Sequence, residues 1–144
     1  MRNILNISEA SNLAVHSLAF MATHGNGSET VFSSAEIGKE LTVSESHLSK
    51  VLQRLAKTAL VHSQRGAHGG FRLSKSPEEI TLWEVIEIIE GPVSKFHCLL
   101  GEPICPNGKC RLTHIHKRIH KELKAELTAI RLADFIDEGW EAGC

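Results

Sequence analysis

Apolar residues recur at steps of three and four along much of this chain, a spacing that places them on one side of an α-helix. The first such stretch follows Ser8, a residue type that caps helices, and it predicts a helix over roughly residues 9–23. Residues 24–30 are rich in glycine and polar side chains, which indicates a loop. The buried side of the helix is expected to comprise Leu13, Val15, Leu18, Ala19 and Ala22.

Two short helices are predicted next. Ser33 and Glu36 have the spacing of a capping box and open a helix that ends at about Leu41. After a tight turn, Ser44 can cap a second helix that runs to about Thr58. The second helix has one apolar stripe, formed by Leu48, Val51, Leu52 and Leu55. Two short helices across a brief turn are typical of a helix-turn-helix, whose second helix can enter the major groove of DNA.

A β-hairpin is predicted directly after the helix-turn-helix. Residues 60–64 and 71–73 have the composition of strands, and the glycine-rich residues 65–70 between them have that of a turn. A hairpin in this place is the wing of a winged helix. Since winged helices also bind proteins, the fold alone does not decide the partner.

The remaining apolar patterns predict two more helices. One has Thr81 or Ser76 near its start and ends at Gly91 and Pro92. The other is long, and its apolar stripe is formed by Leu112, Ile115, Ile119, Leu123, Leu127 and Ile130. A stripe of this length exceeds what a small winged domain can cover alone, so pairing with a second copy is expected.

The expected fold class is mostly α-helical with a small β-hairpin wing: a winged helix-turn-helix plus a long dimerisation helix. We expect a DNA-binding domain at residues 1–92, a cysteine-rich loop at 93–111, and the dimerisation helix with its following segment at 112–137. Residues 132–136 are expected to fold back against the body, and 138–144 to form a tail.

Charge is distributed unevenly along the chain. The net charge is only −1, but between Ser44 and Lys75 there are six Lys and Arg residues against one acid, Glu45. One basic face on a neutral or acidic body is the pattern of a protein that binds the phosphate backbone of nucleic acid. A solvated basic surface is the alternative on composition alone. Catalysis is not expected, because the sequence has no GxxxxGK[ST], HExxH or GxSxG motif.

Three cysteines, Cys98, Cys105 and Cys110, fall within the stretch CLLGEPICPNGKC. The apolar run at residues 13–22 is interrupted by His16 and is too short to span a bilayer, so we expect a cytoplasmic protein with no membrane partner. Cysteines stay reduced in the cytoplasm, so thiols clustered in a turn-rich segment favour a soft metal over disulfides. Zinc and an iron–sulfur cluster both remain open from the residues themselves.

Five features of the chain together resemble the Rrf2 family of winged-helix transcriptional regulators. They are the opening helix (NLAVHSLAFMA), the recognition helix (SESHLSKVLQRLAKTALV), the run LVHSQRGAHGGFRLSKSPEEITLWEVIEIIEGP, the three cysteines and the CRLTH segment. The resemblance reaches about Ile136. It implies a homodimer that binds a double-stranded DNA operator. Many members of the family carry a [2Fe–2S] or [4Fe–4S] cluster on three cysteines, and others have no cluster.

The resemblance also implies roles for single residues in DNA binding. Ser46, Ser49 and Lys50 lie where the recognition helix would meet base edges. Arg65 matches the wing arginine that family members place in the minor groove. Two further basic residues are assigned to the DNA-binding surface from their positions alone. Arg72 lies at the base of the wing, which suits a narrow groove and its phosphates, and Arg54 lies on the recognition helix, with simple solvation as the alternative.

The fourth cluster ligand does not transfer directly from the family. IscR-type members have a histidine three positions after the last cysteine, where this chain has Thr113, with His114 one position later. NsrR-type members use a carboxylate from the first helix of the partner subunit, and the matching position here is Asn12. Glu9 and His16 lie one turn to either side of it. We rank His114 first and His16 second.

The expected function is therefore a homodimeric, DNA-binding transcriptional regulator whose operator binding is switched by an iron–sulfur cluster. The cluster would sense redox state, nitric oxide or iron–sulfur status. The alternative is a winged-helix protein-interaction module that is stabilised by zinc or carries no cluster. The sequence does not distinguish whether the loaded or the metal-free form binds DNA more tightly.

Overall fold

A computed structural model describes residues 7–25, 29–92 and 110–137. A short 3₁₀ turn at Pro77–Glu79 precedes the fourth helix. The helices and strands, in chain order, are α1 Glu9–His24, α2 Ser34–Glu40, α3 Glu45–Ala56, β1 Val61–Gln64, β2 Gly70–Leu73, α4 Leu82–Glu90, α5 Arg111–Ala129 and α6 Leu132–Asp137. This order confirms the predicted class, a mostly helical winged helix-turn-helix with one hairpin.

Helix α1 lies at the centre of the domain. Ser8 caps it as predicted, since its hydroxyl accepts a hydrogen bond from the Ser11 amide at 3.2 Å. The helix contacts α3, α4, α6 and β2, so more than one side of it is covered. For this reason the buried set is wider than the predicted stripe: Val15 is only partly buried, whereas Ser11, Ala14, Ser17, Phe20 and Met21 are buried together with the other predicted residues.

The helix-turn-helix is formed by α2 and α3. Ser33 and Glu36 make the predicted capping box at the start of α2. Gly38 allows the turn between α2 and α3 to pass close to α2, because a Cβ at Gly38 would lie only 3.3 Å from the Val43 carbonyl oxygen. Ser44 occupies the N-cap position of α3, but its hydroxyl lies 3.0 Å from that of Ser46 and makes no cap bond. The apolar stripe of α3 is buried as predicted: Leu48, Val51, Leu52 and Leu55.

The wing is an antiparallel pair of strands in which Val61 is opposite Leu73 and Gln64 is opposite Gly70. The residues before α2 add a short bridge that was not predicted. The Phe32 amide donates to the Phe71 carbonyl at 2.9 Å, and the Phe71 amide donates back at 2.8 Å. This bridge joins the base of the wing to the start of the helix-turn-helix.

The last segment folds back on the domain, as predicted. The Leu82 amide donates to the Ile130 carbonyl, and the Leu132 amide donates to the Ile80 carbonyl, each at 3.0 Å. Leu132 is fully buried in the same hydrophobic cluster as α1 and α4. Helix α6 is therefore part of the core of the winged helix rather than an extension of α5.

Helix α5 packs along α4 and leaves its apolar stripe largely uncovered. None of its described residues is buried, and Leu112, Ile115 and Ile119 are 61%, 44% and 45% exposed. Leu123 and Leu127, further along the stripe, are partly buried. Among the described helices, none has the length and apolar content needed to cross a membrane.

Candidate nucleic-acid interface and metal ligands

The outer side of α3 carries the residues predicted to meet DNA. Ser46 and Lys50 are exposed and Ser49 is half-buried, while the opposite side of the helix is packed into the core. Because residues three and four apart share a face of a helix, these side chains form one continuous surface. The structure therefore brings the three predicted residues of the recognition helix together on its outer side.

A polar cleft of about 480 Å³ lies between α3 and the wing. Ser49 and Arg65, both predicted site residues, line it from the two sides. Three further polar residues that were not predicted also line it: Gln53, Ser63 and Gln64. Gln53 could have been found from sequence, since it is one turn after Ser49 on the same face. The two wing residues could not, because their position depends on how the hairpin docks.

The shape of the wing depends on glycines. Gly66 has φ 118°, in the left-handed region, where residues with a Cβ are strained. A Cβ at Gly70 would collide with the backbone carbonyl of Phe32, so the bridge to the wing requires a glycine there. Arg65 precedes this turn and is exposed, whereas Arg72 is partly buried on β2, opposite His62.

Arg54 lies on the outer part of α3, and its charge acts on the carboxylate of Glu90. Burial raises the pKa of the Glu90 carboxyl, but hydrogen bonds from Ser11 and Ser8 outweigh it, and the charge of Arg54 adds to their effect. The pKa of Glu90 is therefore lower than its usual value. Arg54 is exposed, and its role in DNA binding stays a prediction.

The third cysteine of the cluster motif stands at the start of α5. Cys110 is the N-cap residue of this helix and is partly buried. The amide of His114 donates to the Cys110 carbonyl at 3.2 Å, which places the exposed histidine one turn into the helix. A helix N-terminus stabilises negative charge, so a thiolate ligand suits this position. Cys98 and Cys105 lie outside the described residues.

The three other candidates for the fourth ligand share one groove on α1. Glu9, Asn12 and His16 line a groove of about 200 Å³ together with Leu13, Leu41 and Val43. His16 Nδ1 is 2.7 Å from the Asn12 carbonyl oxygen. Since a carbonyl only accepts, Nδ1 donates in this contact, and Nε2 is the nitrogen through which the neutral ring would bind a metal ion. Within the described ranges, no group of three or more histidine, cysteine or acidic side chains is arranged to hold a metal ion.

A histidine on α5 packs against an aromatic ring on α4. The rings of His120 and Trp83 meet edge to face with centroids 5.2 Å apart, and Lys124 Nζ lies 5.0 Å from the Trp83 ring. Burial lowers the pKa of His120, and the neighbouring charges of His116 and Lys124 lower it further, against an opposite effect of Glu87. The lowered pKa of His120 favours the neutral form of its imidazole in the contact between α4 and α5.

Comparison with known proteins agrees with this architecture. Protein aau3 of Rhizobium meliloti is 35% identical over 103 residues, which cover 71% of this chain and 65% of that relative. The HTH-type transcriptional regulator NsrR of Bacillus licheniformis is 33% identical over 128 residues, or 88% of this chain and 86% of the relative. The second of these relatives is named a transcriptional regulator, in agreement with the expectation that this chain is not an enzyme.

Solved structures of similar proteins have the same fold over almost the whole length. CymR, the global cysteine regulator of B. subtilis, has a TM-score of 0.73 and 27% identity, with 96% of this chain and 98% of that chain covered. IscR of T. potens has a TM-score of 0.73 and 26% identity, with 98% and 93% covered. The family model Rrf2, described as an iron-dependent transcriptional regulator, matches residues 7–138. The chain therefore belongs to the Rrf2 family of transcriptional regulators.

Proposed function

We propose that this chain acts as a homodimer that binds a dyad-related DNA operator, and that its operator affinity depends on an iron–sulfur cluster held by Cys98, Cys105 and Cys110. The physiological signal is then a change in redox state, nitric oxide or iron–sulfur supply. The observation that carries the proposal is the position of Cys110, which begins the same helix whose apolar stripe is uncovered.

Support for DNA binding comes from the surface that α3 and the wing form together. Lys50 and Arg65 are exposed on this surface, and Ser46 and Ser49 lie beside them on α3. Lysine and arginine provide the phosphate contacts that dominate affinity, and hydroxyls contact any base edge. In a two-fold dimer, two such surfaces would meet successive major grooves about one helical turn apart.

Support for the dimer comes from α5. Leu112, Ile115 and Ile119 expose their apolar side chains on one face, and Ile130 is also 37% exposed. A contiguous exposed apolar face marks an interaction surface in a water-soluble domain. A second copy of the same helix offers a matching stripe, and the isologous contact would bury both.

Support for the cluster comes from the donor set. Three thiols close together in sequence, one of them at the start of a helix, suit a soft metal, and His114 or His16 can provide a nitrogen as the fourth ligand. Glu9 and Asn12 are the remaining candidates. NsrR and IscR, two of the similar proteins, and the iron-dependent description of the family are consistent with this assignment. A bound cluster would supply sensitivity to oxidants and nitric oxide.

Contacts within the chain connect the helices at the two ends of the cysteine-rich loop, residues 93–111, here called the cysteine segment. That segment leaves α4 after Gly91 and enters α5 at Cys110. Glu90 binds the start of α1, and Trp83 contacts α5 through His120 and Lys124. Binding or loss of a cluster at Cys110 would therefore change the contact between α5 and α4. A coupling of about 1–3 kcal/mol is enough for a useful switch.

The test is metal analysis of protein purified without oxygen. We expect visible charge-transfer absorption with matched iron and sulfide per chain, and a loss of both in Cys110→Ser. The ratio of iron to chain separates a two-iron from a four-iron cluster. One zinc per chain without sulfide would instead indicate a structural site of three thiolates and a histidine, and would contradict the proposed cofactor.

A further inference from the structure

The cleft between α3 and the wing has an unusual lining for a DNA-binding surface, because it is polar but carries little charge. Gln53 lines it from the helix side, and Ser63 and Gln64 line it from β1. Among the described residues that line it, Arg65 is the only one with a charge, and no carboxylate takes part. The lining therefore consists mainly of neutral hydrogen-bonding groups.

The hydroxyls and amides of the cleft fall into two sets. Ser33 caps α2, and Ser34 Oγ donates to Glu45 Oε1 at 3.1 Å, so both hydroxyls take part in local structure. The other set is Ser49, Gln53, Ser63 and Gln64, whose side chains make no hydrogen bond to another residue in the described part of the chain. The second set can bind a ligand without breaking an internal contact.

The position of the cleft indicates which part of a duplex would enter it. If α3 occupies the major groove and the wing reaches the adjacent minor groove, the sugar–phosphate backbone that separates the two grooves must pass between them. We propose that the cleft is the seat of this backbone, and that Gln53 and Ser63 are positioning residues that donate to its phosphate oxygens from the two sides. The inference rests on the proposed function as a DNA-binding regulator.

The place of Gln53 along α3 favours a phosphate over a base. Residues near the N-terminus of a recognition helix meet base edges, and Ser46 and Ser49 occupy that part of α3. Gln53 is two turns after Ser46, beside the wing. Neutral donors to phosphate fix the register of the protein on the duplex, but they release no counterion, so they do not change the salt dependence of binding.

The experiment compares Gln53→Ala and Ser63→Ala with the wild-type chain on a duplex selected from a randomised pool and on an unrelated duplex. Ser74→Ala is the matched control, because Ser74 is exposed just after β2 but does not line the cleft. Each cleft variant is expected to weaken binding by about threefold to tenfold on both duplexes, the effect of one hydrogen bond. The slope of log affinity against log salt should stay as in the wild type, whereas Arg65→Ala should reduce it by about one.

A second measurement locates the contact. Methylphosphonates, which remove the charge of a phosphate and one acceptor oxygen, are placed singly along each strand of the selected duplex. At the position where Gln53 contacts the backbone, one per half-site, the methylphosphonate already removes the contact. Gln53→Ala should therefore bind that modified duplex as well as the wild-type chain does. A changed base preference of Gln53→Ala after reselection, or wild-type affinity in both cleft variants, would overturn the inference. A wild-type chain that binds no duplex at low salt would instead contradict the proposed function itself.

Discussion

The carboxylate of Glu90 at the end of α4 accepts a hydrogen bond from the backbone amide of Ser8 at 2.8 Å. The hydroxyl of Ser11 donates to the same carboxylate oxygen. A negative side chain from a distant helix thereby satisfies donors at the N-terminus of α1, where the helix dipole favours negative charge. The contact fastens α1 to the end of α4, directly before the cysteine segment begins.

We predict that Glu90→Gln destabilises the fold by about 0.5–2 kcal/mol at neutral pH, the usual cost of losing a helix cap. The pKa of Glu90 is lowered in the folded state, so its contribution is fully present above the unfolded value and is lost as the pH falls through the lower folded value. Urea unfolding between pH 3.5 and 7 checks this. The two proteins should converge in stability at the acidic end.

The control for this prediction is Glu40→Gln, which changes an exposed carboxylate at the end of α2. It removes one negative charge that caps no helix N-terminus, so stability at neutral pH should stay within about 0.5 kcal/mol of the wild type. A stability gap between wild type and Glu90→Gln that stays constant down to pH 3.5 would show that the charge of Glu90 has no part in the cap.

We predict that Ile119→Asp converts the dimer to a monomer. An isoleucine buried in a dimer contributes about 1.5–3 kcal/mol to the free energy of association. Because the interface is two-fold symmetric, the substitution removes this contribution from both copies. Sedimentation equilibrium at micromolar concentration measures the change. The control is Lys117→Asp, which lies on the other side of α5 and should leave the mass of the assembly unchanged. A monomeric wild type would contradict the assignment of the stripe.

We predict that Arg65→Ala weakens specific operator binding by about 1–3 kcal/mol. The exposed guanidinium at the start of the wing turn is placed to enter a narrow groove, and its removal also lowers the number of released counterions. Titrations at several salt concentrations give both quantities. Lys121→Ala, on α5, should change neither, and unaltered binding of Arg65→Ala at fixed salt would reject the role.

We predict that the contact between α4 and α5 weakens in mild acid. Burial, with the charges of His116 and Lys124, lowers the pKa of His120 in the folded state, although Glu87 opposes this. The contribution of the neutral ring is present above about pH 6.5, the unfolded value, and is lost as the pH falls through the lower folded value. Fluorescence of Trp83 in a Trp140→Phe background should change over this interval, and His120→Gln should abolish the change.

The helices and the hairpin were predictable because their signals are local. The caps at Ser8, Ser33 and Thr81 and the apolar stripe of α3 depend on residues within one or two turns of each other. The extra burial of α1 was not predictable, because it depends on how many elements surround the helix. The bridge between Phe32 and Phe71 was missed for the same reason, since one pair of hydrogen bonds leaves no periodic pattern.

The candidate site was predictable in part. Side chains on α3 could be assigned from helical spacing, and the uncovered stripe of α5 follows from its apolar period. The cleft residues Ser63 and Gln64 became visible only from the docking of the hairpin on α3. Likewise, the link from Glu90 to Ser8 joins positions that are far apart in sequence, and neither residue type alone indicates a partner.

The central claim is that cluster occupancy sets operator affinity, and one titration tests it directly. A single anaerobic preparation is divided, the metal is removed from one half, and both halves are titrated against the selected duplex at one salt concentration. We expect dissociation constants that differ by at least about fivefold, with Cys110→Ser behaving like the metal-free half. Equal constants for the two halves would contradict the account, and the cysteines would then have no part in regulating DNA binding.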